Sequence, residues 1–367
     1  SAAKDGIHTN DKIIIGGGIL KVKASGDGLD CEKGFIDIRG GLIKADISGD
    51  ASKAVKAETD ITLSGGQLIL LTSGSAVYED NDLSSAAGIK CDGNLVMNGT
   101  TLSVKSTGAA GKGINCDGTL SIDNSTVKII TTGKQYVYNR LDSSAKGIKA
   151  DGNLTINSGT IWVKTPGGEG SEGIESKSTL TVNGGDVSVY SYDDCMNASK
   201  SSGNDGVDSN GTLTITGGTI VSIGTTSPEE GFDCDQNTFK ITGGTILGIG
   251  GGTSTPTSSV CTQRTVIYGG SGSKGTLLSI QGSDQVMSYT IPRAYSQMTL
   301  LFSSSKLASG TTYTIYTGGS VTGGTEFYGL TVGGTYTTGS QVATFTPSSM
   351  VTSVGNVSSG GPGGGGG

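Results

Sequence analysis

The sequence predicts an all-β protein: a right-handed parallel β-helix solenoid of about nine coils with a C-terminal β capping region. Two observations carry this. First, a phrase of the form GI-x-[CAS]-D-G-x-L-x-I-x-G-G-x-I-x-V recurs from Gly6, Gly28, Ala54, Gly88, Gly113, Gly147, Gly173, Gly206 and Gly231, in steps of 22, 26, 34, 25, 34, 26, 33 and 25 residues. Nine copies at such periods mean a solenoid. Second, each copy holds three short runs of period-two alternation separated by Gly, Asn or Asp. In the copy at Gly88 the inward candidates are Ile89 and Cys91, then Leu95 and Met97, then Leu102 and Val104. Three strands per turn describe one β-helical coil, and no run has the spacing of an amphipathic helix. The right hand follows from the crossover preference of parallel strands.

Taken in chain order, residues 1–252 form the β-helix, and the varying steps place insertions at one corner of a constant coil. Stacking buries the apolar rows that one coil could not bury alone. From 253 to 357 the alternation continues, as in Gln297–Phe302 and Thr312–Tyr316, without the period. This part reads as a compact β region covering the last coil, whose ladder edge would otherwise be open. Residues 358–367 are a Gly-rich tail, expected to be disordered. The 65 glycines fall largely at coil corners, where a positive φ or a close backbone approach is needed.

A formal charge of −7 argues against nucleic acid as a partner, since a phosphate-binding surface needs a basic excess. No stretch has the length of a transmembrane helix, and the chain opens without the charged and apolar regions of an export signal. The six cysteines resemble an extracellular disulfide set until placed in the repeat. The third residue after each leading glycine reads Thr9, Cys31, Ala57, Cys91, Cys116, Ala150, Ser176, Ser209 and Cys234. That is an inward column of small residues, in which four of the cysteines sit as buried free thiols. Cys195 and Cys261 lie outside it. With one histidine, His8, and no CxxC pair, a zinc site is not expected.

Chemistry is expected in the two columns one before and two after the leading glycine, which point outward from the same corner. In the last three coils these hold Glu172 and Glu175, Asp205 and Asp208, Glu230 and Asp233. Six carboxylates on coils about 4.8 Å apart repel one another, and a divalent cation relieves that. Oxygen ligands without imidazole or thiolate select Ca2+. Asp193, Asp194 and Asn197 add to this group. The N-terminal end of the columns is also acidic, with Asp5, Asp27 and Asp30, and is a second candidate cation site. Between the ends lie Lys53, Lys56, Lys90, Lys112, Lys146 and Lys149. These lysines either pair with the neighbouring row Glu58, Asp92, Asp117 and Asp151 or form a basic stripe for an anionic polymer such as a uronic-acid glycan.

Trp162 stands between Ile161 and Val163, so if those point inward the indole faces solvent, where sugar rings stack well. Tyr136, Tyr138 and Arg140 fall in the insertion of the Gly113 coil. Tyr78 falls in the equivalent insertion two coils earlier, and Tyr190 and Tyr192 in the one two coils later. Inserted loops on a rigid solenoid commonly carry binding. Trp162, Tyr78, Tyr136, Tyr138 and Arg140 are therefore the candidate ligand-binding residues.

The chain resembles the bacterial carbohydrate-binding β-helix domains, which look like pectate lyases in fold and bind calcium. The resemblance rests on SEGIESKSTLTVNGG from Ser171, YDDCMNAS from Tyr192, NDGVDSNGTLTITGG from Asn204 and SSSKLASGTTYTIYTGG from Ser303. It implies calcium ligation at Glu172, Glu175, Asp194, Asn197, Asp205 and Asp208. It also implies an exported protein, extracellular or at the cell surface, often a lipoprotein whose lipid anchor would precede Ser1. The expected function is non-catalytic, calcium-dependent polysaccharide binding. The alternatives are a calcium-dependent pectate-type lyase, for which Arg39 and Arg140 are the few available arginine bases, and a structural surface adhesin.

Overall fold

A computed structural model describes residues 4–166, 170–192 and 204–358. Asp193, Asp194, Cys195, Asn197 and the tail from residue 359 lie outside them. The described residues are all-β, and their strands stack as a parallel β-helix. Its first sheet has nine strands from Ile7–Thr9 to Phe232–Asp233, and its second has nine from Lys12–Ile15 to Phe239–Ile241. The third runs from Ile19–Ala24 to Thr245–Gly250 and is extended by Tyr295–Ser303, Thr265–Gly272 and Val351–Gly355.

The stacking has no slip between coils. Ile89 lies opposite Val55 and Ile114, Met97 opposite Leu63 and Ile122, and Val104 opposite Leu70 and Ile129. All nine are buried, so the period-two inward rows become continuous apolar columns. A one-residue shift would turn each row to solvent. The leading glycine is required by close approach: a Cβ at Gly147 would lie 2.2 Å from Val163 Cγ1 and 2.4 Å from the carbonyl oxygen of Gly173.

Cys31, Cys91, Cys116 and Cys234 are buried free thiols in the inward column. Cys91 Sγ donates to the carbonyls of Thr59 at 3.1 Å and Asn94 at 3.2 Å. Ser176 Oγ does the same toward Gly152 and Thr179 at 3.0 and 3.1 Å. The column therefore favours a small side chain that carries a donor, because turn carbonyls face it. Cys261 is also a buried free thiol, and its sulfur accepts from the Ile241 amide at 3.3 Å.

The last coil is closed in two ways. Residues 252–264 run over its first two strands, with Ser254 N donating to Phe232 O and Thr257 N to Phe239 O. Tyr295–Ser303 pairs antiparallel with Thr245–Gly250 and completes the third sheet's ladder. A separate six-stranded antiparallel sheet, from Leu277–Gln281 to Ser340–Phe345 in chain order, packs on the outer side of the third sheet. There it buries Val221, Ile223, Leu247 and Ile249, which would be solvent-facing in an isolated solenoid.

Candidate functional site

The first sheet aligns the outward column His8, Asp30, Lys56, Lys90, Asn115, Lys149, Glu175, Asp208 and Asp233, each opposite the next. At its C-terminal end Glu175, Glu230 and Asp233 are almost fully buried, and Glu172 and Asp205 nearly so. Two of these acids already have cations. Lys146 Nζ lies 2.8 Å from Glu172 Oε2 and 2.5 Å from Glu175 Oε2, and Lys177 Nζ lies 2.7 Å from Glu175 Oε1. Burial opposes ionisation of Glu175, yet the two ammoniums hold it below the ordinary glutamate value.

Asp205, Asp208, Glu229, Glu230 and Asp233 have no ion pair among the described residues. Burial raises Asp205 well above the ordinary aspartate value, and the charges of Asp233, Asp208 and Glu229 raise it further. Asp208 is also raised well above it, by burial and by Glu172, Glu175 and Asp233. Burial followed by neighbouring carboxylates pushes Glu229 up to about 7 and Glu230 up to about 8. Backbone amides take part of the charge: Glu230 N donates to Asp205 Oδ1 at 2.6 Å and Asn204 N to Glu229 Oε2 at 2.8 Å. Glu230 Oε2 is buried with no hydrogen-bond partner.

Carboxylates only, repelling one another around an orphaned oxygen, fit a hard divalent cation. Among the described residues no three of these acids bring one oxygen each within 4.8 Å of one another, so ligation here requires the side chains to draw together. Glu229 was not expected from the repeat, because it stands outside both columns; the doublet Glu229-Glu230 was its signal.

The lysines in the middle of this corner are engaged, as the first of the two readings of the sequence expects, and they leave no open basic stripe there. Lys90 pairs with Asp92 at 2.6 Å and Asp117 at 2.5 Å, and Lys149 with Asp151 at 2.6 Å. Lys56 lies 3.4 Å from both Asp27 and Asp30. Lys53 Nζ donates to Ser84 Oγ, and Lys112 Nζ to Ser143 Oγ at 2.8 Å and Ser85 Oγ at 3.1 Å. Complete burial, reinforced by Lys146 and Lys149, brings Lys112 down to about 7.

Several basic residues without an ion pair among the described residues lie on the outer face of the third sheet. One outward column there reads Lys21, Lys44, Ile69, Ser103, Lys128, Trp162, Ser188, Val221 and Leu247. Ile161 and Val163 are fully buried, so Trp162 does point outward, where it is half-buried. Lys128 Nζ stands 5.2 Å from the indole centroid. Lys21, Lys44, Lys105 and Lys128 are exposed and have no ion pair among the described residues, whereas Lys23 pairs with Asp46 at 3.3 Å. Leu71 is exposed between them. The face ends where the six-stranded sheet covers Val221 and Leu247, and Ser188, the column residue between them and Trp162, is already buried.

A family model described as carbohydrate-binding domain-containing protein matches residues 1–135, 107–195 and 138–220, together residues 1–220 of 367. The chain belongs to this family. No curated protein and no solved structure matches it. The matched segments of this carbohydrate-binding domain protein overlap, as a repeat that can be aligned in several phases requires. They include Trp162 and the lysines around it, while Glu229, Glu230, Asp233 and the C-terminal sheet lie beyond them.

The tyrosines do not join Trp162. Val77–Glu79 pairs with Asp82–Ser84, and Tyr136–Tyr138 with Leu141–Ser143, as two-residue hairpins at the corner between the third and first sheets. Asp80 and Asn81, and Asn139 and Arg140, have positive φ, as tight primed turns demand. The intervening coil is short there, so the hairpins meet across it, and Tyr78 and Tyr138 stack at 4.7 Å with 30° between ring planes. Tyr136 is half-buried and Arg140 exposed at the turn. Tyr190 belongs to the strand Asp186–Tyr192 rather than to an insertion, and packs against the C-terminal core with Lys164 Nζ 5.9 Å from its ring centroid.

Proposed function

We propose that this protein is a non-catalytic binder of anionic polysaccharide that depends on calcium, and that the sugar chain lies along the outer face of the third sheet. Beyond family membership, the supporting observation is the exposed lysine strip that ends at Trp162 and Lys128. A flat sheet offers an indole face for stacking to a sugar ring, and Lys21, Lys44, Lys105 and Lys128 offer charge to carboxylates spaced along a polymer. Uronic-acid glycans combine both features. Tyr78, Tyr136, Tyr138 and Arg140 at the hairpins are a secondary contact, because stacking already occupies one face of Tyr78 and Tyr138.

Asp205, Asp208, Glu230 and Asp233 are the residues that would hold Ca2+, with Glu172 and Glu175 shared with Lys146; Asp194 and Asn197, also expected as ligands, lie outside the described residues. A bound cation would supply positive charge that relieves carboxylate repulsion across the last three coils. That role is structural. A lyase is less well supported. Arg39 pairs with Asp37 at 2.7 Å, Arg140 stands on a hairpin turn, and the Lys112 amine is enclosed by Ser85 and Ser143. A polysaccharide ligand favours a place outside the cell or on its surface, and the burial of the free thiols is compatible with an oxidising medium.

Because Trp162 is the sole tryptophan, its emission tests the location directly. Titration with polygalacturonate should change indole fluorescence saturably, and more strongly than a neutral glucan does. Binding measured by calorimetry with no change in emission would remove the third-sheet face from the account.

A further inference from the structure

The first coil presents the same corner as the acidic end, but with one imidazole in it. His8 lies directly opposite Asp30, and Asp5 precedes His8 at the spacing by which Glu172 precedes Glu175. His8 Nδ1 is 2.7 Å from Asp30 Oδ2 and 3.9 Å from Asp5 Oδ2, and His8 Nε2 is 3.6 Å from Glu32 Oε2. One ligand atom each from Asp5, His8 and Asp30 lies within 4.8 Å of the others, the one such set among the described residues.

We infer that Asp5, His8 and Asp30 bind a borderline divalent transition metal, of the class of Zn2+ or Ni2+, separately from the calcium-type cluster at the other end. Ligands about 2.0–2.2 Å from an ion stand roughly 3–3.5 Å apart, so the triad needs only small side-chain shifts. Two features show that it is built. Asp5 Oδ1 accepts the Asp27 amide at 2.8 Å, which orients its other oxygen toward the imidazole. The Asp30 side chain is 6% exposed and held at both oxygens, with Oδ2 on His8 Nδ1 at 2.7 Å and Oδ1 ion-paired with Lys56 Nζ at 3.4 Å, so its position at the corner is fixed.

The imidazole decides the class of metal. Nitrogen with two carboxylates suits Zn2+ and its neighbours, whereas the oxygen-only corner suits Ca2+. The His8 side chain is 45% exposed, so an ion could enter from solvent and keep water in its remaining positions. Binding would displace the proton now shared between His8 and Asp30. The inference rests on residues that the glycan reading does not use.

The test uses the fact that His8 is the only histidine, so the imidazole gives a single set of proton resonances. Zinc chloride added to the full chain should shift or broaden them, saturating near one ion per chain, and millimolar calcium should not reverse it. His8→Gln, at an exposed position that folding tolerates, should abolish the zinc-induced rise in melting temperature. Asp30→Asn should lower zinc affinity about tenfold or more. Unchanged imidazole resonances under zinc, reversal by calcium, or a His8→Gln variant that binds zinc as the parent does would each overturn the inference.

Discussion

Lys128 stands over the ring of Trp162 at 5.2 Å, one coil away in the same outward column. The pair joins a π-face to a positive charge on a flat sheet, and the cation lies against the ring.

Replacing the indole tests the stacking half of this arrangement. Trp162→Ala should weaken polysaccharide binding by about 1 to 2 kcal/mol, with little change in melting temperature, because the side chain is outward. A large loss of stability would mean that Trp162 packs structurally against the C-terminal sheet.

The charged half is separable. Lys44→Gln, Lys105→Gln and Lys128→Gln together should lower affinity for acidic polysaccharide while leaving neutral glycans less affected. They should also flatten the dependence of binding on salt, since screening acts on exposed charges. A triple variant with the parent's salt dependence would return attention to the corner lysines.

The raised carboxylates set a pH dependence with a defined sign. Glu229 and Glu230 move from an ordinary value of 4.5 to about 7 and about 8, so the folded state holds more protons than the unfolded state between those limits. Stability without calcium is therefore highest below about 4.5 for these groups, and falls as pH rises toward 8. Calcium should reverse that loss at pH 8 and have little effect at pH 5. A calcium-induced shift in melting temperature independent of pH would contradict the assignment, and Asp208→Asn with Asp233→Asn should diminish it.

The inward column makes a chemical prediction. Cys31, Cys91, Cys116 and Cys234 should resist alkylation in the native protein and react after unfolding, read by mass spectrometry of labelled peptides. Burial pushes Cys234 up to about 11, which lowers its reactivity further. Native labelling of these four would break the column.

Much of the fold was legible because a solenoid repeats its rule. The spacing that put Cys91 above Ala57 and below Cys116 is the register observed, and inward alternation at Ile89, Met97 and Val104 became the core. Side-chain partners were less legible, since period alone does not choose between neighbours. Lys90 and Lys149 took the expected aspartates, but Lys146 turned to Glu172 and Glu175, the acids expected for a cation. The lysine strip of the third sheet lies away from the two acidic columns; its signal in the sequence is Lys21, Lys44, Lys105 and Lys128 at outward positions. The cover over Val221, Ile223, Leu247 and Ile249 also had a signal, as TIVSI and TILGIG are near-continuous apolar runs, which mark strands buried on both faces. The Tyr78–Tyr138 stack had none, because it joins insertions two coils apart.

The most direct test of the central claim is calorimetric binding of polygalacturonate to the full chain in calcium and in EDTA, with the same mixtures assayed for unsaturated uronate products. Binding that weakens on chelation, without product in either mixture, is the expected result. Product formation in calcium would make the protein a lyase, and equal binding in both media would remove calcium from its function.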